Sequence, residues 1–124
     1  MEGKVRTPAE YLSEFLNFVD QCCAEYKKAY EAVNEEDKRL QDLLHEMEFA
    51  SDKAERNRVA TKLQNSRRRR RKNKDIVKLN EQVVKFFDDK SSRDTLNKLR
   101  QLLGRQRKEE EYLFSERTYT PRVK

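Results

Sequence analysis

Residues Thr7–Val33 read TPAEYLSEFLNFVDQCCAEYKKAYEAV, and the spacing of their apolar residues decides the fold class. Thr7-Pro8-Ala9-Glu10 has the form of a capping box with proline at the first helical position. Leu12, Leu16, Val19, Cys23, Tyr26, Tyr30 and Val33 then follow at alternating steps of four and three. That is the heptad seam of a helix lying along a partner helix. Phe15, Phe18 and Cys22 widen the stripe, as in a helix packed in a bundle.

Downstream, Asn34–Arg39 (NEEDKR) holds no apolar residue, while Leu40, Leu43, Leu44 and Met47 resume the stripe. NEEDKR is either a turn or a solvated helical stretch, and the preferred reading is a break between helices over 8–33 and 35–49, with Asn34 capping the second and Asp37 three residues on. FASDKAERN reads as a turn with Ser51 or Asp52 as the next N-cap. No glycine or proline lies between Asp52 and Asp88, which predicts one long Arg-rich helix of about 55 Å. Ser91-Ser92-Arg93-Asp94 is a second capping-box candidate. Leu96, Leu99, Leu102 and Leu103 form a short apolar face, and Gly104 is expected to end or loosen that helix. RQRKEEEYLF adds a final helix, and SERTYTPRVK, with a proline and no period, reads as an extended tail. The expectation is an all-α fold: an elongated helical hairpin or bundle of three to five helices. A single helical domain spans 1–114 and an extended tail spans 115–124.

Composition agrees with a thin architecture. Of 124 residues, 35% are hydrophobic and 42% charged, too few apolar side chains to fill a thick core. Two glycines and two prolines supply little punctuation for a many-stranded fold. Cys22 and Cys23 are adjacent, a geometry that disfavours bridging each other and fits a reducing compartment. The N-terminal MEGKVRTPAEY lacks the apolar segment of a secretion signal, and no apolar run reaches the roughly 20 residues of a spanning helix. A soluble, cytoplasmic protein without membrane contact is expected.

Catalytic motifs are missing. His45 is the only histidine, and Cys22, Cys23 and His45 lack zinc-binding spacing. There is no Gly-rich phosphate loop, nucleophile elbow or HExxH. The acids Glu35, Glu36, Asp37, Asp42 and Glu46 read as a solvated helical face. No enzyme activity, cofactor or metal is expected.

The net charge of +6 conceals a strong polarity. Residues 1–52 hold six bases and 13 acids, residues 53–78 hold 12 bases and two acids, and residues 79–124 hold 11 bases and eight acids. Such a basic block points to an anionic partner, most commonly nucleic acid or a nucleoprotein surface. Five successive helical residues advance about 500°, so Arg67, Arg68, Arg69, Arg70 and Arg71 cannot all lie on one face. Arg56, Arg58, Lys62, Lys72 and Lys74 extend the charge, and these ten residues are the candidate nucleic-acid or anion contacts. Arginine suits phosphate because its planar fork donates paired hydrogen bonds.

The competing reading is internal pairing. A turn near Phe49–Asp52 would lay the acidic stretch antiparallel to the basic one. Arg56 and Arg58 would then be neutralised near the turn, and Arg67–Arg71 would face roughly Glu35–Asp37. Tyr112, Phe114, Arg117, Tyr119 and Arg122 form a second candidate, an aromatic and basic stretch suited to base stacking or to a protein partner.

EYLSEFLNFVDQCCAEYKKAYEAVNEEDKRLQDLLHEMEF, the run RRRRRKNKD and the ending RTYTPRV together resemble small helical accessory proteins of prophages and mobile elements in Gram-positive bacteria. The resemblance covers most of the chain and lies in its layout, so no functional residue is carried across. It implies one of two roles: nucleic-acid binding in phage replication, recombination or packaging, or disabling a host defence nuclease as anti-CRISPR proteins do. In the second, a protein–protein module or assembly factor, the acidic face around Glu31–Glu48 mimics nucleic acid while the arginines pair internally. Finally, the apolar stripe of the first helix exceeds what the later stripes obviously cover. A homodimer contact or a protein partner over part of Leu12–Val33 is expected. The alternative is a monomer closed by Leu40–Met47, Val83–Phe87 and Leu96–Leu103.

Overall fold

A computed structural model describes residues 6–116 and Pro121. Of these, 89% are helical and none lies in a strand. Three helices follow one another: α1 (Pro8–Glu48), α2 (Lys53–Phe86) and α3 (Lys90–Phe114). The chain forms two compact units. One holds α1 up to Phe18 together with Phe87 and α3, and the other is Val19–Phe86.

The 19–86 unit is an antiparallel hairpin. Its turn is set by Asp52, whose Oδ1 accepts from the Glu55 amide at 2.8 Å, while Glu55 accepts from the amide and hydroxyl of Ser51, both at 3.1 Å. One of the orphan amides of α2, that of Glu55, is thereby satisfied, and Glu55 reaches back over the N-cap to the residue before it. Ion pairs between Glu46 and Lys62 and between Asp37 and Arg70 show the two strands of the hairpin running in opposite directions.

The expected break at Asn34–Arg39 does not occur, because α1 runs unbroken to Glu48. The seam also takes a different path after Val19. Cys22, Ala29, Glu36 and Leu43 are buried, with Tyr26, Val33, Leu40 and Met47 half-buried between them, whereas Cys23 and Tyr30 are exposed. Steps of three and four alternate throughout, so the seam continues through NEEDKR with Glu36 in the place of an apolar residue. Ala29 brings the backbones closer than Tyr30 would, and Tyr30 keeps its hydroxyl in water.

In the other unit, α3 lies antiparallel to the start of α1. The amide of Ala9 donates to Glu110 Oε2 at 2.8 Å, and Arg107 donates to Ser13 at 3.3 Å. Thr7 caps α1, accepting from the Glu10 amide at 3.3 Å. The carboxylate at that helix start therefore comes from Glu110 on α3. Burial alone would raise the Glu110 carboxyl, but hydrogen bonds from Thr7, Gln106 and Ala9 hold it below the usual range. Ala9, Leu16, Leu96 and Leu103 form the core of this unit, with Phe15 edge-on to Phe87 at 6.2 Å between ring centroids.

Two further expectations are corrected here. The N-cap of α3 is Asp89, which accepts from the Ser92 amide at 2.6 Å, two residues before the Ser91 box. Gly104 neither ends nor breaks α3, which runs through it to Phe114. A helix tolerates an interior glycine when its flanks pack, and Leu103 is buried beside it.

Tyr11, Phe15 and Phe18 remain 59%, 40% and 50% exposed, while Leu12 is half-buried and Leu16 is buried. The inner face of the first stripe is thus covered within the chain, and its aromatic flank is not. The expected tail lies beyond the described helices, with Arg117, Tyr119 and Arg122 outside the described residues.

Candidate nucleic-acid interface

The seam of α2 is unusual in its chemistry. Val59, Ser66, Asn73 and Asn80 recur every seven residues, and all but the half-buried Asn73 are buried. Three polar residues therefore stand where a coiled coil ordinarily places apolar ones. Each is satisfied: Asn73 donates to the carbonyl of Arg69 and Asn80 to that of Ile76, both at 2.9 Å. Ser66 donates to Glu36 Oε2 at 2.5 Å across the hairpin.

Glu36 is the counterpart of this polar seam. Its side chain keeps only 6% of its accessible surface. Besides Ser66, it accepts from Arg69 Nε at 2.9 Å and from Arg39, one turn along its own helix. Burial alone would raise the Glu36 carboxyl. Hydrogen bonds from Arg69 and Ser66, with the charges of Arg39 and Arg69, outweigh it and hold the group below the ordinary value of 4.5. Next to it, Asp37 Oδ1 accepts from Arg70 Nε at 2.6 Å, and Arg70 is the least exposed of the ion-paired arginines, at 27%.

The structure thus sorts the arginine run. Arg69 and Arg70 meet the carboxylates of Glu36 and Asp37, in the region that the antiparallel reading assigned to Glu35–Asp37. Arg67, Arg68 and Arg71 are exposed, as are Lys72 and Lys74, and none makes an ion pair with a described residue. Arg56 and Arg58 are also exposed and without such a pair; near the turn it is Lys62 that meets an acid, Glu46, at 3.4 Å. The expected neutralisation of Arg56 and Arg58 therefore falls on Lys62. Beyond Lys74, Glu81 engages Lys78 at 3.5 Å and Lys85 at 2.6 Å. Hydrogen bonding to Lys85 and the charges of both lysines hold the Glu81 carboxyl low, and the same contact raises Lys85.

Arg67, Arg70, Arg71 and Lys74 border one depression of about 220 Å³ on this helix. A larger concavity of about 770 Å³ lies in the other unit, where α1 begins, and Arg6, Ser13, Glu14, Arg107 and Glu110 are among its lining residues. That lining mixes acids and bases: Arg6 pairs with Glu14, Arg107 donates to the Ser13 hydroxyl, and Glu110 accepts from the Ala9 amide. Uncompensated positive charge is found in the smaller depression. Tyr112 and Phe114 are exposed at the end of α3, in the other unit from the arginines.

The expectation that Glu36 lies on a solvated face is corrected, since Glu36 is buried against Ser66, a residue that, being polar, the sequence did not single out. A signal existed: Glu36 stands three residues after Val33 and four before Leu40, on the heptad line. Among the described residues no group of three or more His, Cys, Asp or Glu is placed to hold a metal ion, and no helix is long and apolar enough to cross a membrane. No protein-family model, curated protein or solved structure matches this chain.

Proposed function

We propose that the chain is a non-enzymatic, all-α binding protein that holds nucleic acid or a nucleoprotein surface through α2. One observation carries the reading. Internal carboxylates take up only Arg69 and Arg70, leaving Arg67, Arg68, Arg71, Lys72 and Lys74 exposed without a described ion-pair partner. Holding so many like charges together on one helix is unfavourable unless an anion neutralises them. Contacts would go to phosphates, since no helix offers a recognisable base-reading set. In this reading Arg117, Tyr119 and Arg122 add contacts, and the protein acts in the cytoplasm of a host as a phage accessory factor. The layout described above supports that setting.

The test is a titration of labelled duplex and single strand at rising salt, between about 50 and 200 mM. Wild type is expected to bind at low salt and weaken steeply as salt rises. Replacing Arg67, Arg68 and Arg71 by glutamine removes most of that affinity. Binding that ignores both salt and these replacements rules the proposal out.

A protein–protein module, such as an inhibitor of a defence nuclease or an assembly factor, is the second reading. The exposed row Tyr11, Phe15 and Phe18 favours it, because aromatic side chains at helical spacing are common anchors at interfaces. In that case Phe18→Glu abolishes the association while the arginine replacements leave it intact, as sedimentation equilibrium with the candidate partner or with the chain alone reports.

A further inference from the structure

We propose that a backbone phosphate of the nucleic acid sits in the depression bounded by Arg67, Arg70, Arg71 and Lys74, so that one face of α2 follows the strand while Arg69 serves the fold. This rests on the nucleic-acid reading above and adds which side chains touch the ligand.

Positions 67, 70, 71 and 74 are spaced i, i+3, i+4 and i+7, so their side chains are neighbours on one face, with Cβ atoms about 5–6 Å apart. Three guanidinium forks and an ammonium converge there on a single hollow. A phosphate oxyanion accepts paired hydrogen bonds from such forks in the way a carboxylate does. Among the described residues, Asp37 is the only acid bonded to this group; it accepts from Arg70 Nε and holds that guanidinium plane in place.

The other faces are worse suited. Arg68, Lys72 and Asp75 share a second face at i, i+4 and i+7, where the acid offsets one of two bases. Leu79 continues that face and is 78% exposed, which a phosphate backbone would not favour. Arg69 has its Nε committed to the buried carboxylate of Glu36. Along the cationic face, Lys78 and Lys85 are already engaged by Glu81. On this face the cations without an ion pair among the described residues are therefore Arg67, Arg71 and Lys74, all of which border the hollow. The five-arginine run thus has a division of labour: Arg69 locks the hairpin, Arg70 is held at its edge, and Arg67 and Arg71 reach outward on the same side.

The experiment compares two triple variants of equal charge on a labelled duplex of about 20 base pairs and a single strand of the same length. One is Arg67→Gln/Arg71→Gln/Lys74→Gln; the other is Arg58→Gln/Arg68→Gln/Lys72→Gln. Each removes three exposed cations, so long-range attraction falls equally and only direct contact differs. The first is expected to lose at least about tenfold more affinity than the second. Its salt slope on duplex should fall by about 0.9, the value of the one phosphate contact it loses, with a smaller fall for the other. A third variant, Arg67→Lys/Arg71→Lys, keeps charge and helix propensity but removes the forks. It should weaken binding about three- to tenfold with the slope unchanged. Equal losses from the two triple variants, or a larger loss from the second, overturn this assignment and leave the nucleic-acid reading standing. No loss from the lysine variant also overturns it. Wild type that fails to bind at low salt overturns both.

Discussion

Arg69 Nε lies 2.9 Å from Glu36 Oε1, joining residues 33 positions apart across the hairpin. The carboxylate is nearly covered, while the arginine keeps half of its side-chain surface in water. Ser66, almost fully buried, donates to the other oxygen of the same carboxylate. A polar triad thus occupies the place of a hydrophobic layer. An isolated buried charge would be costly; this one is paired and hydrogen-bonded on both oxygens.

Removing the carboxylate is therefore expected to destabilise the hairpin. Glu36→Ala strands the Ser66 hydroxyl and opens a void, at a cost of about 2–3 kcal/mol in urea unfolding. Arg69 and Arg39 can rehydrate, which keeps the loss below that of a fully buried pair. The triple replacement Glu36→Leu/Ser66→Ala/Arg69→Leu should return stability to the wild-type level or above. A loss smaller than about 0.5 kcal/mol in Glu36→Ala would show that the triad does not support the fold.

Acid should erase the Glu36 contribution. Its folded pKa is depressed, so the stability it supplies is fully present above the ordinary value of 4.5. It is lost as pH falls through the lower folded value. Glu81, Asp89 and Glu110 shift in the same direction, so the whole protein loses stability in acid and only a difference isolates Glu36. The stability gap between wild type and Glu36→Gln is expected to narrow from neutral pH to about pH 3. A constant gap across that range contradicts the linkage.

Gly104→Ala should stabilise the protein by about 0.5–1 kcal/mol, because glycine in a helix interior leaves more backbone freedom to be lost on folding. An added Cβ meets nothing within 4 Å, so no clash opposes the gain. Thermal unfolding measures it, and a lower melting temperature would mean that Gly104 is needed for some other contact.

The two cysteines should separate by reactivity. Cys22 is 7% exposed on the seam, and Cys23 is exposed beside it. In native protein a water-soluble thiol reagent is expected to modify Cys23 first, with Cys22 reacting only on unfolding. Mass spectrometry of the singly modified peptide decides the order. Prior labelling of Cys22 would restore the seam through Cys23 and Tyr30.

Helix class, the hairpin turn and the opposition of acidic and basic stretches were all legible in the sequence. They follow from local rules: apolar steps of three and four, a capping side chain before a helix, and charge blocks on either side of a turn. Which line of residues faces inward was not. Cys22 and Ala29 offer the same spacing as Cys23 and Tyr30, and only the direction of approach of α2 selects between them. Nor did hydrophobicity reveal that α1 continues through NEEDKR, because Glu36 becomes a core residue only when Ser66 and Arg69 arrive from 30 and 33 positions away. The arginine run shows the same limit. Composition gives its charge, but the hairpin decides that Arg69 and Arg70 turn to carboxylates while Arg67, Arg71 and Lys74 stay exposed. A polar side chain is buried or displayed according to its partners, and those partners are set by tertiary contacts that no local pattern encodes.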